Sequence, residues 1–300
     1  MTTSPDPSPG RSLLKFSAPQ DYALENLKNG MIFCQHYTRY NDPFEFRARI
    51  LEGRPDQQAE PERFAAAVRE WGFPVVDDAL EFEANEYLES IEYYEPHFAG
   101  MLDGMRIACF GAERDNLLMW SHYADGLRGF CVAFDEDAVI SSEPKAYLAD
   151  VAYCDQPPTV DSFVYAVAYD QNEFHLMAID EHEAHIKYFG KKDDGWIETC
   201  QKTADEALFR MQLIWQQVFA TKPREWEYEH ERRLLIQTDR DDLTPLQHSY
   251  PRHAVREIIV GERMPTDYLA KLKEIVAENY GHAEIRTAYR TTDSYKLQIE

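Results

Sequence analysis

The sequence predicts an α+β fold, and three observations carry that reading. Short apolar runs of strand character recur along the chain, among them "LLKFS" (13–17), "RIACFGA" (106–112), "RGFCVAFD" (128–135) and "VREIIVG" (255–261). They neither alternate regularly with helices nor gather in one block, which disfavours a doubly wound parallel sheet. Two long stretches of helical periodicity, near 58–105 and 160–220, interrupt the strands. With 300 residues, 44% of them hydrophobic, the chain has enough apolar material for one sizeable core. The expected organisation is a flexible tail over 1–11 and a single domain over 12–300 carrying those two helical insertions.

Each element has a local reason. The Ser/Pro-rich "MTTSPDPSPGR" has nothing to bury and reads as a tail. After "LLKFS", the stretch "APQDYALENLKNG" reads as a helix stopped by Gly30 in a left-handed conformation. "MIFCQ" (31–35) forms a second strand, and "HYTRYNDPFEF" (36–46) is turn-rich, with Asx side chains free to bond local backbone and Pro43 fixing its own φ. "DDALEFEANEYLESIEYYE" (77–95) is the clearest helix of the first insertion. "NLLMWSHYAD" (116–125) is a short helix, "YLADVAYC" (147–154) a strand, and the second insertion holds two long helices broken near "GKKDDG". "EWEYEHERRLLIQT" reads as one strand. A helix over about 265–279 and strands near 283–289 and 294–299 close the chain.

Composition narrows the function. A net charge of −23 repels polyanions at long range and argues against non-specific nucleic-acid or anionic-membrane binding. No apolar run approaches the ~18 residues of a membrane span. The N-terminus lacks a signal-peptide core, so a cytoplasmic location is expected. The five cysteines show no CxxC spacing, indicating neither a zinc site nor a disulfide framework. The histidines of "DEHEAH" (180–185) are three apart and do not make HExxH, and neither Gly-rich phosphate cradle occurs, so no metal is expected.

The chemistry-bearing residues gather in three stretches. In "REWEYEHERRLLI" (224–236) four glutamates alternate with Trp226, Tyr228 and His230. On a strand, Glu225, Glu227, Glu229 and Glu231 would share one face. Glu225 and Glu227 read as solvated edge charges, whereas Glu231 stands where the strand enters the core. In "LLMWSHYADG" (117–126), Met119, Trp120 and Tyr123 are either plain core or a stacking surface for a planar ring. The 36–46 loop offers Tyr37 and Tyr40 for stacking and Asn41, Asp42 and Glu45 as polar groups. Lys15, a cation on a short apolar strand, needs an acid or an anionic ligand.

Taken in order, "YNDPFE" (40–45), "CFGAERDNLLMWSHYADGLRGFCVAFD" (109–135), "VAYCDQPP" (151–158), "KPREWEYEHERR" (222–233), "IIVG" (258–261) and "YKL" (295–297) resemble the bacterial family known as domain of unknown function 2971, over about residues 13–298. A remoter resemblance is to ADP-ribosyltransferases. It rests on the strand–helix–strand opening through "ALENLKNG" and "MIFCQHYT", and on the late E-x-E of Glu229-His230-Glu231 before "LLI". That resemblance implies an ADP-ribosyltransferase-like mixed sheet core whose cleft holds NAD as substrate. Glu231 would be catalytic, offsetting the positive charge that develops on the ribose, and Glu229 would assist by orienting or deprotonating the acceptor. Lys15, where the superfamily has His or Arg, would contact NAD as a point donor; Tyr37, Asn41, Trp120 and Tyr123 would complete the NAD site. The acceptor would be a protein or nucleic acid, and the family's habitat suggests a role in bacterial defence or as a toxin. The rival expectations are a metal-dependent nuclease using Asp42, Glu45, Glu229 and Glu231, and a non-catalytic sensor that binds a ligand or partner.

Overall fold

The computed structural model describes residues 11–72, 78–92, 98–141, 146–190, 195–240 and 242–300. Apart from Arg11, the predicted tail lies outside these residues, as do most of "GKKDDG" and the ends of the 77–95 helix. In chain order, β1 (Ser12–Ser17), α1 (Asp21–Asn29) and β2 (Met31–Cys34) precede β3 (Arg49–Leu51), α2 (Pro61–Trp71), α3 (Asp78–Glu92) and α4 (Phe98–Gly104). Next come β4 (Met105–Phe110), α5 (Leu117–His122), β5 (Phe130–Asp135), α6 (Glu136–Ile140), β6 (Ala146–Asp150), β7 (Ala152–Cys154) and β8 (Thr159–Asp161). The long helices α7 (Ser162–Phe189) and α8 (Trp196–Phe219) lead to β9 (Thr221–Pro223), β10 (Arg232–Gln237), β11 (Leu246–Ser249), β12 (Val255–Gly261), α9 (Thr266–Asn279), β13 (Glu284–Arg290) and β14 (Leu297–Ile299). The protein is thus mixed α and β, and the chain divides into two compact units, 1–45 with 100–155 and 222–300, and 46–99 with 156–221.

The first unit is built on a five-stranded mixed sheet in the order β1-β5-β12-β13-β14, in which only β12 and β13 run parallel, and a three-stranded antiparallel sheet, β4-β10-β6. Side chains alternate across each strand, and here both faces of the larger sheet are buried. Leu13, Phe130, Val132, Phe134, Ile258 and Val260 enter one core, whereas Leu14, Phe16, Cys131, Ala133 and Ile259 enter another. Ala108, Phe110, Leu234 and Ile236 of the smaller sheet share the first core, so the two sheets close on one apolar layer. Each large side chain removed from water there contributes about 1.5–3 kcal/mol.

Two helices seal that layer. α1 buries Ala23, Leu24 and Leu27, carries Asp21 in its first turn and Lys28 in its last, and ends at Gly30. Gly30 adopts φ 71°, and its N–H caps the last turn, the left-handed stop expected of glycine. α9 buries Tyr268, Leu272 and Val276 at four-residue spacing. Gly129, just before β5, is required for a different reason: a Cβ there would sit 2.0 Å from the Ser17 carbonyl oxygen.

The second unit is mainly helical. Phe64, Ala67, Leu88, Ile91, Phe163, Ala166 and Val167 form its core. β3 pairs in parallel with β8, and Arg63 clamps the start of α7 by donating to both Asp161 carboxylate oxygens at 2.6 and 3.1 Å.

The strand reading of "EWEYEHERRLLIQT" is corrected. Only Arg232–Gln237 is strand; Arg224–Glu229 is a 3₁₀ helix, and His230 turns the chain in a left-handed conformation at φ 42°. Alternation of polarity was therefore not a two-residue pleat but a tight helical turn with three residues per turn. "YLADVAYC" is also two strands, β6 and β7, broken at Val151, whose N–H bonds the Glu231 carbonyl at 3.0 Å. The short strands β3, β8 and β11 carry too few residues to show a period and went unpredicted.

Candidate functional site

The 3₁₀ turn between β9 and β10 folds around one lysine. Lys222 is 5% exposed, and its Nζ donates to Glu229 Oε2 at 2.7 Å and to Glu231 Oε2 at 2.6 Å. The left-handed His230 reverses the backbone between the two glutamates, so both carboxylates reach the same ammonium despite not sharing a strand face. Trp226 closes the turn, its ring centroid 5.2 Å from Nζ. Glu225 and Glu227 are exposed.

The ion cluster extends along β10. Arg233 is fully buried; its Nε donates to Glu231 Oε1 at 2.8 Å, and its two terminal nitrogens grip Glu45 at 2.5 and 3.0 Å. Tyr123, following α5, donates a short hydrogen bond to Glu229 Oε1. The hydroxyl of Tyr153 on β7 accepts the Glu231 backbone N–H at 2.8 Å. α5 is itself held to the turn: Asn116 donates to the Tyr228 carbonyl at 2.5 Å, and the His122 ring meets the Tyr228 hydroxyl at 3.0 Å. Three buried carboxylates thus face two buried cations.

The environment separates the two acids of the E-x-E. Burial works to raise the pKa of Glu231, but Arg233 and Lys222 outweigh it and hold the carboxyl below the usual glutamate range. For Glu229 burial prevails over Lys222, and its pKa is raised. Burial likewise raises Glu45 against the pull of Arg233. Lys222 goes up: burial opposes its charge, and Glu231 with the other acids overrides burial. The surroundings therefore push the two acids of the pair in opposite directions, a division that recurs where two carboxylates share chemistry.

Glu229, Glu231 and Lys222 line a cleft of about 840 Å³ within the first unit. Lys15, Tyr40, Asn41 and Tyr123 line it too. Lys15 donates to the Cys109 carbonyl at 2.9 Å and lies 5.5 Å from the Phe110 ring centroid; among the described residues no carboxylate comes within 4.0 Å of it. Tyr40 donates to the Ile107 carbonyl at 2.8 Å. Of the sequence-predicted site residues, Glu231, Glu229, Lys15, Asn41 and Tyr123 share this cleft, whereas two do not. Trp120 is 0% exposed, packed edge-on against Phe16 and donating to the Arg114 carbonyl at 2.7 Å, so it is core behind α5 and has no surface for a ligand. Tyr37 rests on His36, ring centroids 4.4 Å apart, and is not part of the cleft wall.

Asp42 caps its own loop by accepting the Phe44 N–H at 2.8 Å, the turn role read from "YNDP". Glu45, Glu229 and Glu231, proposed ligands for a nuclease metal, are ion-paired to Arg233 and Lys222. Among the described residues no group of three or more His, Cys, Asp or Glu side chains is arranged to hold a metal ion. Sequence reasoning passed over Arg39, which lines the cleft, and the hub role of Lys222. The available signal for Lys222 was a lysine just before Pro223 with four glutamates in the next nine residues, ahead of the apolar run at 234–236.

Residues 119–234 match the family described as "Protein of unknown function (DUF2971)". The matched stretch contains Tyr123, Lys222, Glu229, Glu231 and Arg233, but not Lys15 or Glu45. No curated protein and no solved structure matches the chain. Among the described residues no helix is long and apolar enough to cross a membrane.

Proposed function

We propose that the first unit is an ADP-ribosyltransferase-like core that binds NAD as substrate in the cleft and transfers ADP-ribose to a macromolecular acceptor. The observation that carries this reading is the meeting, in one cleft, of Lys15 from β1 and the E-x-E acids from the turn before β10. Lys15 and Arg39 are cations fit for a diphosphate, and Tyr40 and Tyr123 supply flat surfaces for rings. Glu231 is the anchored anion. When the C1′–N bond of NAD breaks, the bonding pair leaves with neutral nicotinamide and the ribose becomes oxocarbenium-like; a preorganised carboxylate offsets that charge where it forms. Although both Glu231 oxygens are ion-paired, a carboxylate has about four lone-pair sites, so it still has room to accept a ribose hydroxyl. Glu229, hydrogen-bonded to Tyr123, takes the proton from the acceptor as its nucleophile bonds C1′. A carboxyl group with a raised pKa is a better base for this than an ordinary one.

The test is incubation of the chain with labelled NAD and cell lysate, with nicotinamide release and label transfer as readouts. Glu231→Gln should lower turnover ~100-fold or more while NAD still raises the melting temperature. If NAD neither shifts melting nor yields nicotinamide, the reading is wrong; magnesium-dependent cleavage of nucleic acid would replace it with the nuclease.

A further inference from the structure

Two acids of one motif meet unequal surroundings, yet they sit two residues apart and share a cation. Lys222 is the only group among the described residues that bonds both of them, at 2.7 and 2.6 Å, and it does so from β9, a different element from either acid. The remaining partners are unequal. Glu231 also has Arg233 at 2.8 Å, with Tyr153 on its backbone N–H and the Cys109 thiol close by on β4. Among the described residues Glu229 has only the hydroxyl of Tyr123 beyond the lysine, with Tyr228 nearby. Glu45 balances Arg233 from the other side.

Resting on the transfer reading above, we propose that Lys222 is the positioning residue of the site: by bridging the two carboxylates it fixes their separation and supplies, among the described residues, the cation bonded to Glu229. Lys222 need not touch substrate to do this. Its ammonium commits two of its three N–H groups to carboxylates and faces the Trp226 ring, an arrangement that suits a fixed point charge and not a nucleophile. With Lys222 removed, Glu231 keeps Arg233 and remains the better-stabilised anion, whereas Glu229 is left with a hydroxyl and a like charge beside it. Both acids then hold protons more tightly, and Glu229 more so.

The experiment uses the full chain with ¹³C-labelled glutamate side chains, assigned through Glu229→Gln and Glu231→Gln. The titration midpoint of each carboxyl carbon is read in wild type and in Lys222→Met. Expected is an upward move of the Glu229 midpoint by about one pH unit or more, with the acid limb of NAD turnover moving the same way and turnover falling ~100-fold from lost alignment. Lys222→Arg, which keeps the charge, should return the acid limb towards the wild-type position. An unmoved Glu229 midpoint in a folded Lys222→Met chain overturns the proposal. Should that chain fail to fold, the double variant Lys222→Met/Glu229→Gln removes one anion with the cation and is compared with Glu229→Gln alone. A higher Glu231 midpoint in the double variant supports the bridge, and an equal one overturns it. If wild type shows no NAD turnover but the midpoints move as stated, the transfer reading falls and the role of Lys222 in setting the acids stands.

Discussion

The sheet β4-β10-β6 buries an arginine near each end, and the two are satisfied in opposite ways. Arg106, opposite Ile236, donates to the carbonyls of Thr244, Asp103, Met105 and Asp242 at 2.5–3.0 Å and has one looser carboxylate contact, Asp242 at 3.5 Å. Arg233, opposite Cys109, is surrounded by Glu45 and Glu231. Both are fully buried, so burial does not separate a scaffold role from a chemical one; the partners do. A guanidinium held by neutral carbonyls staples Asp242 and Thr244 to the sheet, and the acid it touches, Asp242, is exposed. One held by carboxylates sets the ionisation of everything around it.

Substitutions can break this contrast or sharpen it. Arg233→Met should have the largest effect, about 3–5 kcal/mol of lost stability, because it strands two buried carboxylates; urea unfolding at neutral pH measures it. Arg106→Met should lose less, about 2–3 kcal/mol, since the carbonyls it leaves lie in or near a loop that water can reach. If the two losses were equal, or reversed, the distinction between staple and ion hub would be empty.

The acids respond to pH with opposite signs. Glu231 has its folded pKa depressed below the ordinary 4.5, so its contribution is present above 4.5 and is lost as pH falls through the folded value. Glu231→Gln should therefore flatten the acid loss of stability below about pH 4.5. Glu229 has its folded pKa raised, so its contribution is intact below 4.5 and lost as pH rises through the folded value. Glu229→Gln should gain on wild type as pH climbs above the ordinary 4.5, read from urea midpoints. The smallest effect belongs to Glu225→Gln, which should change stability by less than about 0.5 kcal/mol, as expected for an exposed charge away from the cluster.

Much of the first unit was legible in its residues. "LLKFS", "RGFCVAFD" and "VREIIVG" carry enough consecutive apolar side chains to announce strands, and Gly30 marked the end of α1 because a left-handed stop is written in one residue type. The E-x-E was singled out correctly as a place where acids meet a core, and Glu225 and Glu227 as solvent charges. Its geometry was not legible. Alternating polarity in "REWEYE" fits a pleat and a tight 3₁₀ turn alike, and the choice is made by Lys222 drawing Glu229 and Glu231 inward, a tertiary effect. Trp120 was ambiguous for the same kind of reason: an aromatic on a short amphipathic helix looks identical in sequence whether it lines a cleft or backs one. Glu45 could not have been joined to Arg233 from spacing, since 188 residues separate them.

The first unit is threaded three times, through 1–45, 100–155 and 222–300, and its acid cluster draws at least one member from each pass: Glu45, Tyr123 and Lys222. The stretches that leave and return, 46–99 and 156–221, are closed detours from the standpoint of that cluster. Ring-closure entropy grows only logarithmically, so doubling either detour costs about 0.6 kcal/mol. Their lengths are thus nearly free to drift over evolutionary time, and shorter or longer versions of this chain can hold the same five charges in the same places.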